Sequence, residues 1–288
     1  MKKYLSLVKF SHTLFAMPFA LVGFFIGSVQ MENGIDFQAL GLVVLCMVFA
    51  RSAAMGFNRW LDRDIDAVNP RTQMREIPAG IISPANALAF VVVNCLLFVA
   101  ASFFINPLCF YLSPVALAVV LGYSYTKRFT WLCHVVLGLG LSLAPVGAYL
   151  AVTGQFDWVP VLYGLAVLFW TGGFDVIYSL QDDHFDQEQR LYSMPAVFGR
   201  KTALGISEWM HLGTALLLVA AGWFLQKKLP EAGVLTWVGT AVFIGLLVFQ
   251  HSLVKRDDLS RVNLAFFTTN GIASVVFGTF VITDLLLL

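Results

Sequence analysis

The chain of 288 residues is 59 % hydrophobic and only 12 % charged, and its 18 Lys and Arg nearly balance its 17 Asp and Glu. Soluble domains are about 45–50 % apolar and about a quarter charged, so this composition excludes an ordinary soluble protein. We expect the lipid bilayer to be the main solvent of the chain. We expect no nucleic-acid partner, and we infer no obligate protein partner.

Long apolar runs follow one another along the chain. A run of roughly 18 or more apolar residues predicts a transmembrane helix, since about 20 residues cross a hydrocarbon core of about 30 Å. The runs are continuous and do not alternate with polar residues, which favours helices over a closed barrel. They predict nine transmembrane helices, at about 12–30, 37–57, 85–105, 108–126, 131–152, 158–178, 202–225, 232–252 and 263–286.

The basic residues predict the orientation of these helices. With the N-terminus in the cytoplasm, only Lys227 and Lys228 of the 18 Lys and Arg fall outside, and only Arg51 falls within a span. Because cytoplasmic loops carry an excess of Lys and Arg, we expect the N-terminus inside and, with nine spans, the C-terminus outside. The first polar segment, 58–84, and the second polar segment, 179–201, then both face the cytoplasm.

The second predicted helix ends in a row of polar side chains. Asn58, Asp62 and Asp66 follow one another at intervals of four residues. Residues four apart lie on the same side of a helix, so these three are predicted to share one face. Arg51 lies seven residues before Asn58, on that face and within the membrane. Buried ionisable groups are costly in lipid and usually functional.

The sixth predicted helix ends in the same way. Asp175, Tyr178, Asp182 and Asp186 are spaced i, i+3, i+7 and i+11, which again predicts one helical face. The chain therefore presents the pattern D-x-x-x-D twice, at corresponding places in the second and the sixth of nine helices. This correspondence predicts two related four-helix halves plus one further helix.

Paired carboxylates at a membrane mouth suggest a bound cation. Four converging carboxylates would repel one another and take up protons. Mg²⁺ prefers oxygen ligands and is typically held by one or two carboxylates, waters and substrate phosphates. Nearby Lys and Arg can bind the phosphate oxygens directly. A solvated face with i, i+4 ion pairs would explain one cluster alone, but two matching clusters favour a site for Mg²⁺ and a polyphosphate.

These motifs resemble the UbiA family of intramembrane prenyltransferases. That family carries N-x-x-x-D-x-x-x-D after its second helix, here at 58–66, and D-x-x-Y-x-x-x-D-x-x-x-D after its sixth, here at 175–186. Its Y-P-x-x-K-R segment reads YSYTKR at 123–128, with Ser124 in the place of Pro. The resemblance extends over essentially the whole chain, so 1–288 is expected to form a single intramembrane prenyltransferase domain.

The resemblance implies an all-α integral membrane protein with nine transmembrane helices around a central cavity that opens to the cytoplasm of a bacterial cell. The two polar segments would cap the cavity, with Gly80 and Gly199 as hinges. The implied activity is Mg²⁺-dependent transfer of a polyprenyl chain from an allylic diphosphate to a small aromatic acceptor. The sequence is most similar to enzymes that prenylate 4-hydroxybenzoate or, in the futalosine route to menaquinone, a naphthoate, and it does not separate these two acceptors.

The resemblance also assigns roles to residues. The expected metal ligands are Asp62, Asp66, Asp182 and Asp186. The expected diphosphate ligands are Asn58, Arg63, Lys127 and Arg128. The expected catalytic residues are Asp175, Tyr178 and Arg51.

Two alternatives remain open. Within the family, the acceptor could instead be haem or a glyceryl phosphate lipid. In a different class, a secondary transporter would also combine internal repeats with intramembrane charge. Transporters usually place these groups near the bilayer midplane on helices broken by Gly or Pro. Neither acidic stretch here contains Gly or Pro, which favours the enzyme.

Overall fold

The computed structural model describes residues 2–8, 15–31, 34–231 and 233–287, and within these ranges the fold is helical, with no β-strand beyond an isolated bridge between Lys255 and Asp258. The α-helices are α1 (Lys2–Leu7), α2 (Met17–Ser28), α3 (Phe37–Leu61), α4 (Arg63–Val68), α5 (Pro84–Ile105), α6 (Pro107–Thr126), α7 (Cys133–Thr153), α8 (Trp158–Ser179), α9 (Asp183–Glu188), α10 (Met194–Lys228), α11 (Val234–Leu253) and α12 (Asn270–Leu286). A 3₁₀ turn (Leu180–Asp182) follows α8, and a π-helical turn (Leu264–Thr269) precedes α12.

Polar residues cap the beginning of several long helices. Asp36 caps α3 by accepting hydrogen bonds from the backbone of Gln38 and Ala39. Ser83 and Asn106 cap α5 and α6 in the same way, and in both helices a proline occupies the first turn. Capping side chains satisfy N–H groups that have no partner within the helix, and proline is suited to the first turn because it lacks that N–H.

Eight helical segments of the described chain are long and apolar enough to cross a membrane. They confirm eight of the predicted spans in number and order. The remaining one, predicted at 12–30, corresponds to α2, which has 12 residues and is apolar but shorter than the other eight. Residues 12–14 of that prediction lie outside the described residues, so nine spans stay a prediction.

Helix α8 lies at the centre of the helical packing. It contacts α7 and α10 along its length, and its large side chains Tyr163, Trp170 and Phe174 are buried among aromatic residues of α2, α11 and α12. The α7–α8 contact is close because Gly138 lies against the carbonyl of Leu168, where a Cβ atom would be only 2.3 Å from the oxygen. Small residues at helix contacts in membranes permit such backbone approach.

The two polar segments lie side by side at one end of the bundle. In the first, Ile77 and Ile82 are buried against Leu7 of α1 and Ala87 of α5, so this segment is packed down on the helices. The second contains α9 and leads into α10. Gly80 and Gly199 both have positive φ values, 72° and 76°, a conformation that favours glycine. Gly199 interrupts the helical geometry within α10 and separates its first turn from the rest.

Candidate active site

The first acidic motif lies across a break between two helices. Helix α3 ends at Leu61 and α4 begins at Arg63, with Asp62 at the junction. Asp62 and Asp66 are both buried, whereas the side chain of Asp64 is 84 % exposed. The first two therefore face the protein and the third faces away from it, as the four-residue spacing predicts.

Asp62 is held by three polar side chains. Asn58 donates a hydrogen bond to its Oδ2 at 3.1 Å, as expected from their positions one turn apart. The Nζ atom of Lys127 lies 2.5 Å from the same oxygen, and Arg128 donates to Oδ1 at 2.8 Å. The structure thus brings the YSYTKR segment at the end of α6 onto the first acidic motif.

Asp66 binds a residue of the first polar segment. Arg75 donates to Oδ1 of Asp66 at 2.7 Å, and the hydroxyl of Thr72 donates to its backbone carbonyl at 3.1 Å. The other carboxylate oxygen, Oδ2, is buried and accepts no hydrogen bond from the described residues. A buried carboxylate oxygen without a partner is costly, and it is an available ligand for a cation.

Asp182 of the second motif also binds the first polar segment. Arg71 donates to both of its oxygens, with Nε 2.8 Å from Oδ1, and Asn69 donates to Oδ1 at 3.3 Å. Arg71 also donates to the hydroxyl of Tyr178 at 2.9 Å, and the Tyr178 ring stacks on Phe266. Burial opposes the charge of Arg71, but its hydrogen bond to Asp182 and the negative charge there outweigh it and raise the pKa of Arg71.

Lys127 connects the two acidic motifs. Its Nζ atom binds Asp62. Asp186 interacts electrostatically with both Lys127 and Asp182. The backbone N–H of Tyr192, in the second polar segment, donates to the carbonyl of Lys127 at 2.7 Å. The structure therefore connects Asp62, Asp182 and Asp186 with Asn58, Lys127 and Arg128. Asp66 lies one turn beyond Asp62 and is held separately by Arg75.

Arg63 is a predicted site residue that the structure does not bring into this group. It donates to the carbonyl of Trp60 at 2.8 Å, lies over the Trp60 ring and pairs at 3.7 Å with the exposed Asp64. Arg71 and Arg75 are site residues that the sequence did not single out. Their only signal was the presence of basic residues in the loop NPRTQMRE, and a loop sequence does not reveal which helix end it reaches.

Asp175 has a partner that the sequence analysis also did not assign to the site. Its Oδ2 lies 2.7 Å from Nδ1 of His134, the second residue of α7. The backbone N–H of Met194 donates to Nε2 of the same ring at 3.2 Å. Asp175 and His134 are 41 positions apart, on neighbouring helices, so no local pattern indicates this contact.

An apolar cavity of about 390 Å³ lies within the bundle between α3, α5, α6 and α7. Almost all of its lining is apolar, and Arg51 is the charged residue in it. The Nε atom of Arg51 is buried and has no hydrogen-bond partner among the described residues. Tyr123 also lines the cavity and interacts electrostatically with Asp62, Asp175 and Arg51, which connects the cavity to the polar group.

The chemistry of the donor set fits a hard cation such as Mg²⁺. All four predicted ligands are carboxylates, and Cys or His ligands that would select a softer metal are not among them. No group of three or more His, Cys, Asp or Glu in the described part of the chain is arranged to hold a metal ion directly. Asp62, Asp66 and Asp182 are instead each bound to basic side chains. A metal together with an anionic ligand would have to exchange these partners.

Known proteins resemble this chain over most of its length. A 4-hydroxybenzoate octaprenyltransferase from Aliivibrio fischeri (strain MJ11) is 31 % identical over 246 residues, which are 84 % of this chain and 82 % of the relative. One from Tolumonas auensis is 30 % identical over 85 % of this chain and 84 % of its own length.

Solved structures agree with this similarity. A UbiA homolog from Aeropyrum pernix K1 superposes with a TM-score of 0.85 at 31 % identity, covering 95 % of this chain and 98 % of that one. A UbiA homolog from Archaeoglobus fulgidus has the same fold at 22 % identity, with a TM-score of 0.78 over 98 % of this chain and 99 % of that one. The UbiA prenyltransferase family model matches residues 16–272. The chain therefore belongs to the UbiA prenyltransferase family, and it is a multi-pass membrane prenyltransferase.

Proposed function

We propose that this chain transfers a polyprenyl group from an allylic diphosphate to a small aromatic acid, 4-hydroxybenzoate or a dihydroxynaphthoate, in a reaction that requires Mg²⁺. The observation that carries the proposal is the association of the two D-x-x-x-D motifs with Lys and Arg side chains, together with an apolar cavity whose lining residue Tyr123 interacts with Asp62. The curated relatives named above support the aromatic acid, and the Archaeoglobus fulgidus homolog bound to GPP and Mg²⁺ supports the donor and the metal.

The donor has two parts with opposite preferences. Its hydrocarbon tail suits the apolar cavity, and its diphosphate suits the basic residues that now bind the carboxylates. Because the carboxylates and the diphosphate have the same sign of charge, a cation has to lie between them. Mg²⁺ would be held by Asp62, Asp66, Asp182 and Asp186. When bound, it supplies Lewis-acid stabilisation of the charge that develops on the leaving diphosphate.

The basic side chains then have a second role. Lys127, Arg128, Arg71 and Arg75 are positioned to move from carboxylate oxygens to phosphate oxygens, and Arg forms two parallel hydrogen bonds with phosphate readily. Asn58 would keep its hydrogen bond to Asp62 or donate one to the diphosphate instead. Arg63 would join only after leaving Trp60 and Asp64, so we assign the phosphate contacts first to Arg71 and Arg75.

Cleavage of the allylic C–O bond leaves positive charge on the prenyl group, which the ring carbon of the acceptor attacks. The ring must then lose a proton. Asp175 interacts electrostatically with Tyr123 of the cavity wall, and among the described residues it forms no ion pair with Lys or Arg. We assign the proton transfer to Asp175, the orientation of the acceptor to Tyr178, and the binding of an anionic group at the cavity wall to Arg51. The two polar segments would keep water from the allylic cation.

The proposed setting is the bacterial cytoplasmic membrane, with the N-terminus and the site on the cytoplasmic side and the C-terminus outside. The uneven distribution of Lys and Arg supports this orientation. The whole chain, 1–288, would act as one domain, in which four-helix halves contribute one acidic motif each.

The test is a transfer assay with purified protein in lipid nanodiscs. Short and long prenyl diphosphates are each incubated with Mg²⁺ and with 4-hydroxybenzoate, a dihydroxynaphthoate, haem or a glyceryl phosphate lipid, and products are identified by mass spectrometry. We expect an aromatic acid to be prenylated on ring carbon. Prenylation of only haem or the glyceryl phosphate lipid would overturn the acceptor class, and donor uptake into sealed vesicles without transfer would favour a transporter.

A further inference from the structure

We propose that His134 is a positioning residue for the reaction, which holds Asp175 in its reactive orientation and connects that orientation to the second polar segment. The inference rests on the role proposed above for Asp175. His134 is buried at the start of α7, and its ring lies between Asp175 of α8 and the first residue of α10, Met194.

The two hydrogen bonds of the ring determine which nitrogen carries the proton. The backbone N–H of Met194 can only donate, so Nε2, at 3.2 Å from it, has to accept. In a neutral imidazole the other nitrogen then carries the proton, so Nδ1 donates to Oδ2 of Asp175 at 2.7 Å. The second oxygen of Asp175, Oδ1, accepts no hydrogen bond from the described residues. The Asp175 side chain is 24 % exposed. His134 therefore fixes one oxygen and leaves the other available to substrate.

The position of the ring depends on close contact between helices. The α7–α8 approach that Gly138 permits lies one turn beyond His134, and it brings the His134 side chain within reach of Asp175. On the other side, the backbone of Tyr192 accepts from the thiol of Cys133 at 3.2 Å and donates to Lys127. The segment 192–194 is thus attached at consecutive points to Lys127, Cys133 and His134.

This arrangement gives the second polar segment a way to influence the reacting group. If the segment moves, Met194 leaves Nε2, and the ring is free to turn or to exchange its tautomer. Either change removes the Nδ1–H donor from Asp175. The same relationship holds wherever a third group orients a catalytic base. Loss of the orienting tautomer then lowers kcat more than it weakens substrate binding.

Two substitutions separate the two hydrogen bonds. His134→Asn places an amide near the position of Nδ1, so it can still donate to Asp175 but cannot reach Met194. His134→Gln places its amide near Nε2, so it can still accept from Met194 but not donate to Asp175. His211→Gln is the matched control, because His211 is another buried histidine that contacts α8, through the carbonyl of Trp170 at 3.2 Å, away from the acidic motifs.

We expect His134→Gln to lower kcat by about 100-fold, at the low end of what general acid–base groups contribute, with KM for the prenyl diphosphate within about twofold. His134→Asn should restore kcat to within about tenfold of the wild type, and His211→Gln should change the melting temperature but not kcat. Combined with Asp175→Asn, His134→Gln should cause no further loss, since groups that act as a unit are non-additive. Equal kcat for the Asn and Gln variants, or losses that multiply in the double variant, would overturn the inference.

A second measurement does not depend on transfer activity. In ¹⁵N-histidine-labelled protein, the nitrogen chemical shifts of His134, assigned by their loss in His134→Asn, should report a protonated Nδ1 and an unprotonated Nε2. The opposite tautomer would overturn the inference even in an active enzyme. Full activity of Asp175→Asn would remove the role of Asp175 and with it the role of His134, while leaving prenyl transfer intact. Absence of transfer by the wild type would contradict the proposed function and leave the tautomer test valid.

Discussion

Arg71 binds both carboxylate oxygens of Asp182, a residue 111 positions further along the chain. This contact joins the first polar segment to the second acidic motif. Arg71→Gln should therefore raise KM for the prenyl diphosphate by about tenfold or more, because it removes a contact to Asp182 and a proposed phosphate ligand together.

Arg63→Gln is the matched control for that change. Arg63 is an arginine of the same polar segment, but it contacts Trp60 and the exposed Asp64. Steady-state kinetics with both substrates should show KM near the wild-type value for this variant. An equal rise in KM for Arg63→Gln would return Arg63 to the diphosphate site and contradict the assignment of Arg71.

The acidic motifs are tested by removing one charge at a time. Asp62→Asn and Asp182→Asn should each lower turnover by orders of magnitude. Asp64→Asn should leave turnover intact, because Asp64 is exposed and faces away from the site. Loss of an exposed charge should also change the free energy of unfolding by only about half a kcal/mol. Turnover is compared per folded protein, measured by size-exclusion chromatography, since Asp62 also binds Lys127 and Arg128. The double variant should lose much less than the product of the single losses. Near-normal turnover of both single variants would contradict the metal-site assignment.

Transfer should require a hard divalent cation. An excess of chelator should abolish product formation, and added Mg²⁺ should restore it, because only a cation can join carboxylates to a diphosphate of the same charge sign. Soft metals should serve poorly, since the proposed ligands are oxygens. Full turnover in excess chelator would show that Lys and Arg alone hold the diphosphate.

The cavity should limit the length of the donor. Ala144 lies in its wall, so Ala144→Phe should lower kcat/KM for a long polyprenyl diphosphate and have little effect on a five-carbon donor. Leu96→Phe is the control, because Leu96 lies on α5 outside the cavity wall and is 64 % exposed on the described surface. An equal fall in kcat/KM for the short and the long donor would indicate general damage to the protein and would contradict a tail site in this cavity.

The predicted topology can be tested with reporters. A phosphatase fused after Leu288 should be active only if the C-terminus is outside, and a fluorescent protein at the same place should then be dark. A cytoplasmic signal would contradict the combination of nine spans with an N-terminus in the cytoplasm.

The apolar runs predicted the helices, and the four-residue spacing predicted the buried face of the first acidic motif, because both depend on residues close together along the chain. The exposed Asp64 beside the buried Asp62 illustrates this. In the second motif it is Asp183, outside the predicted face, that is buried, and it pairs with Arg200. The sequence could not predict that Arg71 and Arg75 reach the carboxylates or that His134 reaches Asp175, since these contacts join residues that only tertiary packing brings together. The Arg63 prediction rested on its place in the motif, and the break between α3 and α4 turns that side chain towards Trp60.

The pairing of Asp62, Asp66 and Asp182 with basic side chains of the same chain has a consequence for biogenesis. A zinc finger folds only when its metal arrives, because its ligands have no other partners. Here the chain supplies its own counter-charges, so the mouth of the bundle can assemble during membrane insertion whatever the local supply of metal. With the metal requirement proposed above, metal depletion would silence the enzyme without exposing it to proteolysis, and activity would return as soon as the cation did, with no new synthesis.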